Sequence, residues 1–170
     1  MKYLVISDNH SQLHPMDDII DSYRNRVDYV VHCGDSEFSF SDPVFSGVYA
    51  VRGNCDFDTR FPDELTVGEV FVAHGHLLGV KSSLRSLAKA AKSHGKRIAF
   101  YGHTHVFGVD DLVDDVVCIN PGSISLPKGP NSEYKTVAIV EVDSSNRHVL
   151  VNYYDDQMHE LSQFSTSLDY

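Results

Sequence analysis

Apolar residues along this chain come in short runs that stop at polar or glycine-bearing turns, the pattern of buried strands ending at a sheet edge. KYLVIS (residues 2–7) predicts the first strand. In the next segment Met16, Ile19, Ile20 and Tyr23 fall at i, i+3, i+4 and i+7, which predicts a helix with Pro15 at its start, where a missing N–H does no harm. VDYVVHCGD and GVYAVRGNCD each read as a strand running into a Gly-Asp or Gly-Asn turn. ELTVGEVFVAHGH predicts two strands around Gly68, the second ending at His74. Leu84, Leu87, Ala88 and Ala91 repeat the helical spacing, with Gly95 as a C-cap. RIAFYGHTH is a further strand, DDLVDD a solvated hairpin, and VVCIN, YKTVAIVEV and HVLVNYY are strand-like. The whole reads as one α/β layered domain over residues 1–170, with early strands alternating with helices and later ones pairing as hairpins.

Composition narrows the function classes. The 170 residues are 42% hydrophobic and 22% charged, ordinary for a globular domain. No apolar run reaches the ~20 residues a membrane helix needs, and MKYLVISDNH lacks the form of a signal peptide, so no membrane is expected and the cytoplasm is the expected location. A formal net charge of −10 opposes nucleic-acid binding, which needs cationic side chains against phosphates. It also opposes any anionic substrate unless bound cations reverse the field locally. Cys33, Cys55 and Cys118, without a C-x-x-C pair, read as reduced thiols.

The strand ends carry the chemistry. Nearly every strand in the first two-thirds ends in a metal-competent residue: Asp8 and His10, Asp35, Asn54, His74, then His103 and His105. Each alone is weak, because D-x-H, Gly-Asp and Gly-Asn are common turn chemistry. In open α/β sheets, however, the carboxyl ends of strands converge on one crevice, and five such coincidences in order favour a metal centre. Seven ligands suit two cations sharing one carboxylate, since a single catalytic ion takes three or four protein ligands. The mixed imidazole, carboxylate and amide set favours Mn, Fe, Zn, Co or Ni over Ca or Mg.

Taken together, SDNH (residues 7–10), GD (34–35), GNCD (53–56), HGH (74–76) and GHTH (102–105) resemble the ordered motifs of the calcineurin-like metallophosphoesterases. With NPGS (120–123) and the short chain, the closest resemblance is to the small single-domain YfcE-like phosphodiesterases. That resemblance implies a four-layer α/β/β/α sandwich of two mixed sheets flanked by helices. It implies Asp8, His10 and His105 on one metal, manganese first among the candidates, Asn54, His74 and His103 on the other, and Asp35 bridging. It further implies attack on a small phosphodiester by a hydroxide held between the two ions.

Many members of the wider superfamily have histidine where this chain has Cys55. A thiol carries no positive charge to give a leaving oxygen, so substrates with good leaving groups are expected. His76 is read either as a substitute acid or as a hydrogen-bond partner of a ligand. Asn120 is read as a turn residue that anchors the site loop, His14 as an exposed helix entry and His32 as a satisfied core histidine. The resemblance also admits a non-catalytic alternative, since the small retromer subunit resembles this family yet serves in assembly; the complete ligand set favours catalysis. The tail HELSQFSTSLDY is expected either to pair with another copy in a homo-oligomer or to fray.

Overall fold

The computed structural model describes residues 1–170, the side chain of Asp111 excepted. Eleven strands build two mixed sheets, with two α-helices packed against them. In the first sheet β1 (Lys2–Ile6), β2 (Tyr29–His32) and β3 (Val48–Ala50) are parallel, and β9 (Thr136–Asp143), β10 (His148–Asp155) and β11 (Thr166–Asp169) extend it antiparallel from β1. In the second, β5 (Val70–Ala73), β6 (Ile98–Phe100) and β8 (Val116–Asn120) are parallel, with β4 (Glu64–Val67) and β7 (Gly108–Val113) antiparallel at its two edges.

Alternation along the strands creates the layers. Tyr3 and Val5 of β1 face Val70, Val72, Ile98 and Phe100 of the other sheet, forming the core between sheets. Their neighbours Leu4 and Ile6 face outward onto Met16, Ile19 and Ile20 of α1 (Met16–Tyr23). Phe71 and Ala99 likewise face outward onto Leu87, Ala88 and Ala91 of α2 (Arg85–Ser93). Strand periodicity of two in the sheets and the apolar stripe on each helix thus yield an α/β/β/α sandwich, as expected. The helical layers are thin, because the β2–β3 connection holds only the 3₁₀ turn Pro43–Phe45.

Two expectations are corrected or sharpened. The C-terminal tail does not fray: Ser162–Phe164 form a 3₁₀ turn and β11 pairs with β10 of the same chain at the edge of the first sheet. Phe164 and Leu168 pack on the central core, which supplies the energy to order it. The hairpin at DDLVDD is β7–β8, irregular between Asp110 and Val113, with the Asp111 side chain outside the described residues. No helix among the described residues is long and apolar enough to cross a membrane.

Candidate metal centre

Six parallel strands, three per sheet, point their carboxyl ends to the same rim of the sandwich. Asp8 and His10 follow β1, Asp35 follows β2, Asn54 follows β3, His74 follows β5, and His103 and His105 follow β6. The strands end just short of the histidines, at Ala73 and Phe100, so the imidazoles sit on turns. Five of the seven residues, Asp8, His10, Asp35, His103 and His105, have positive φ between 43° and 67°. Non-glycine residues adopt that region rarely and at a cost, and their gathering on one rim marks a functional site.

The loops are tied to one another. Asp8 N–H donates to Gly34 O (3.1 Å) and His10 N–H to Asp35 O (3.1 Å), joining the β1 and β2 loops. Gly102 N–H donates to His74 O (3.1 Å), joining those of β5 and β6. A Cβ at Gly102 would overlap Ser7 Oγ and crowd Asp8 Oδ2, and one at Gly53 would overlap the Asp35 carboxylate. Only glycine permits these backbones to lie so close to the acidic side chains.

All seven predicted residues come together, in two adjoining groups. In the first, Asp8, His10 and His105 present donor atoms within 4.8 Å of one another. In the second, Asp35, His74 and His103 do the same, and Asn54 Oδ1 lies 3.2 Å from His74 Nε2. Asp35 links the groups, its Oδ2 lying 3.2 Å from His74 Nε2 and 3.9 Å from His10 Nε2.

Proton accounting shows what this cluster is suited to hold. His74 Nδ1 faces Cys33 O at 2.7 Å and His105 Nδ1 faces Leu126 O at 2.7 Å. A carbonyl oxygen only accepts, so both Nδ1 atoms carry the proton. His10 Nδ1 meets Glu37 Oε1 at 2.8 Å on the same terms. In the neutral rings every Nε2 then presents a lone pair inward. His10 Nε2 and His105 Nε2 face each other at 3.3 Å, and His74 Nε2 faces the oxygens of Asn54 and Asp35. Asp8 Oδ1 is buried with no hydrogen-bond partner among the described residues, although His105 Nε2 lies 3.2 Å away out of line. Converging lone pairs repel unless positive charge sits among them, and an orphaned buried carboxylate oxygen is costly. The residues present therefore fit divalent cations.

The ionisation preferences carry the same imprint. Burial pushes His74 and His105 down, but the carboxylates of Asp35 and Asp8 outweigh it and hold both above the ordinary value. Burial pushes Asp35 up, yet the His74 contact and charge leave it well below the usual carboxylate range. His103, without so close a carboxylate, is pushed down to about 4 by burial and by His74. Burial and then the Asp35 charge raise the Cys55 thiol to about 11, so it is neutral. Cys55 N–H donates to Asp35 Oδ1 (2.7 Å). His76 is half-buried, its Nδ1 has no partner among the described residues, and burial followed by His74 lowers it. The hydrogen bond to a ligand expected of it is not made: the rings of His76 and His74 sit at 5.4 Å between centroids.

Several residues that position the site carry little signal in the sequence. Asp56 accepts from Asp35 N (2.8 Å), Glu37 N (2.7 Å), Gly53 N (2.6 Å) and Ser36 Oγ (3.1 Å), locking the β2 and β3 loops around Asp35. Ser123 and Ser125 donate to Asp8 O at 2.8 and 2.9 Å. Their only sequence signal is adjacency, the last letter of GNCD and the NPGSIS run. Asn120 behaves as expected: its Nδ2 donates to Gly102 O (3.1 Å) and Thr104 Oγ1 (2.9 Å), holding the GHTH turn. His14 is exposed, and the buried His32 meets Asn9 Oδ1 at 2.9 Å.

Residues 1–145 match the model of the calcineurin-like phosphoesterase superfamily domain. Over 165 residues, 95% of both chains, the sequence is 34% identical to a probable metallophosphoesterase, YsnB, of Bacillus subtilis. Over 96 residues, about half of each chain, it is 35% identical to phosphodiesterase YfcE of Escherichia coli. Among solved structures, a predicted phosphoesterase from Streptococcus pneumoniae superposes with a TM-score of 0.92 at 29% identity, covering 99% of this chain and 97% of the other. Zinc-complexed Vps29 of Entamoeba histolytica shares the fold at a TM-score of 0.71 and 19% identity, over 99% and 97%.

Proposed function

This chain belongs to the calcineurin-like phosphoesterase superfamily, and on that premise we propose that it is a phosphodiesterase working with two divalent cations. The observation that carries the reading is the inward set of Nε2 lone pairs around Asp8 and Asp35, a donor set that bound divalent cations would satisfy. Asp8, His10 and His105 would hold one cation and Asn54, His74 and His103 the other, with Asp35 between them. Manganese is our first choice for both, and the mixed nitrogen and oxygen donor set also accommodates Fe, Zn, Co or Ni. Cations in this position supply Lewis acidity, acidifying water and offsetting the charge that grows on phosphoryl oxygens.

The chain's own residues do the rest. Three carbonyl or carboxylate acceptors fix the tautomers of His10, His74 and His105, so each presents Nε2 without reorganising. Asp56 holds the Asp35 backbone and the serines hold the Asp8 backbone, which is the preorganisation that transition-state stabilisation needs. Asn54, Cys55 and His76 complete the proposed catalytic set on the open side. Cys55 reaches the same space as His10 and Asp35 but as a neutral thiol, and His76 is held neutral. Neither is an ample proton source, so good leaving groups remain the expected preference.

Cleavage of a diester rather than a monoester is supported by the YfcE similarity, and a cytoplasmic location by the three free cysteines. The test is hydrolysis of bis-(p-nitrophenyl) phosphate beside p-nitrophenyl phosphate, on chelator-stripped protein with Mn²⁺ and other divalent ions restored. Diester cleavage that returns with metal and disappears in Asp35→Ala and His103→Ala is expected. Turnover without metal, or a monoester preference, would overturn the reading.

A further inference from the structure

Nine large hydrophobic side chains stand exposed among the described residues, and six of them are Leu13, Phe40, Phe57, Leu77, Val106 and Leu126. Scattered exposed apolar residues are normal. Their distribution here is not scattered, for each of the six lies on the loop that follows a different one of the six parallel strands, β1, β2, β3, β5, β6 and β8. They also track the candidate ligands closely. Leu13, Phe57 and Leu77 come three residues after His10, Asn54 and His74, Val106 directly follows His105, and the Leu126 carbonyl accepts from His105 Nδ1. Phe40 has a packing role as well, edge-on to Phe61 at 5.2 Å and with Arg60 5.5 Å from its ring centroid. Phe57 and Leu77, at 69% and 66% exposed, have far less cover.

On one side this rim deepens. Val106 lines a cleft of about 600 Å³ together with the apolar Val80, Phe107 and Val109, the charged Lys81, Asp110 and Lys128, and Thr104, the residue between the two histidines of GHTH. That volume suits a small-molecule group rather than a solvent ripple. The cleft borders the GHTH turn through Thr104 and Val106, the neighbours of His103 and His105.

We propose that the phosphodiesters this site accepts carry large apolar arms, aryl or long alkyl, with the loop hydrophobics as their collar and the Val106 cleft receiving one arm. The proposal rests on the phosphodiesterase reading and deepens it. Two cations recognise a phosphoryl group and nothing else, so selection among diesters falls to what the two arms meet as they leave phosphorus. Each of the six loops around this centre carries one exposed apolar side chain, in a protein whose net charge of −10 disfavours polyanionic substrates.

The test holds the leaving group constant. Methyl, phenyl and octyl p-nitrophenyl phosphates are compared on the Mn²⁺-loaded enzyme, each kcat/KM divided by its uncatalysed rate. Burying an added phenyl or octyl arm predicts a gain of about tenfold or more over methyl. Phenyl and octyl together separate a preference for rings from one for chains. Phe57→Ser and Val106→Ser should each lower the large-arm to methyl ratio severalfold, whereas an equal loss on both substrates, or a flat series, overturns the proposal.

A binding measurement separates the collar from the activity. Calorimetric titration with diphenylphosphinate and dimethylphosphinate, which hold no cleavable ester, should favour the diphenyl compound, with the advantage reduced in the same variants. If no diester is hydrolysed but that advantage is found, the functional reading falls and the collar stands. Equal affinities overturn the collar as an arm site, and self-association abolished by Phe57→Ser would then assign it to a second copy of the chain.

Discussion

Asn120→Ala tests whether the GHTH turn depends on a side chain from a different strand. Asn120 ends β8 and is fully buried. Its Nδ2 donates to Gly102 O at 3.1 Å and to Thr104 Oγ1 at 2.9 Å, and its Oδ1 accepts from Gly122 N at 2.8 Å. Alanine removes all three and strands the Gly122 amide, while the Gly102 carbonyl keeps only its 2.7 Å bond from Thr104 N–H. At a net ~1 kcal/mol per hydrogen bond the metal-free protein should lose about 3 kcal/mol. The turn carries His103 and His105, one on each proposed cation, so Mn²⁺ affinity should fall about 10- to 100-fold as well. Urea unfolding of the chelated protein reads the first quantity, and calorimetric Mn²⁺ titration the second. Asn120→Asp keeps the acceptor for Gly122 but turns a lone pair toward the Gly102 carbonyl, so it should be at least as damaging. A loss under about 1 kcal/mol with unchanged Mn²⁺ affinity would refute the argument, because the turn would then hold its shape without the side chain.

Two further outcomes follow from single residues. His32 accepts from Gly34 N at its Nδ1 and meets Asn9 at Nε2, so the folded state holds it neutral, and burial lowers it to about 4. The unfolded chain binds that proton near 6.5, so stability is full above that value and falls between pH 6.5 and 4, by about 3 kcal/mol at most. Chemical denaturation of wild type against His32→Gln should show this slope lost in the variant; parallel slopes would contradict it. Cys55→His restores a group able to carry positive charge beside His10 and Asp35. It should raise kcat/KM for alkyl leaving groups more than for p-nitrophenol, and an equal change in both would show that the leaving-group proton comes from elsewhere.

Local pattern by itself determined every strand but β11, both helices and the identity of the candidate ligands. Met16, Ile19 and Ile20, or Leu87, Ala88 and Ala91, define a face without help from distant residues, because helical spacing is a property of neighbours. The turn chemistry of Gly34-Asp35 and Gly53-Asn54 is local too, and the rule that strand ends converge was enough to gather seven residues scattered over nearly a hundred positions. What only the tertiary structure decided concerns groups whose roles arise across strands. Asp56 looks like one more acidic turn residue until four donors from two loops meet on its carboxylate. Ser123 and Ser125 acquire a purpose only because β8 ends beside β1's loop and brings them to Asp8 O. His76 shares the HGH motif with His74, yet its ring goes its own way without bonding a ligand. The tail looked unattached because a polar strand has no local signal for its partner; β10 provides the edge, and Phe164 and Leu168 find the core. The seven ligands are written in residue type, which chemistry alone constrains. Their tautomers, backbone strain and apolar collar depend on which loops lie side by side, and only packing the two sheets face to face sets that.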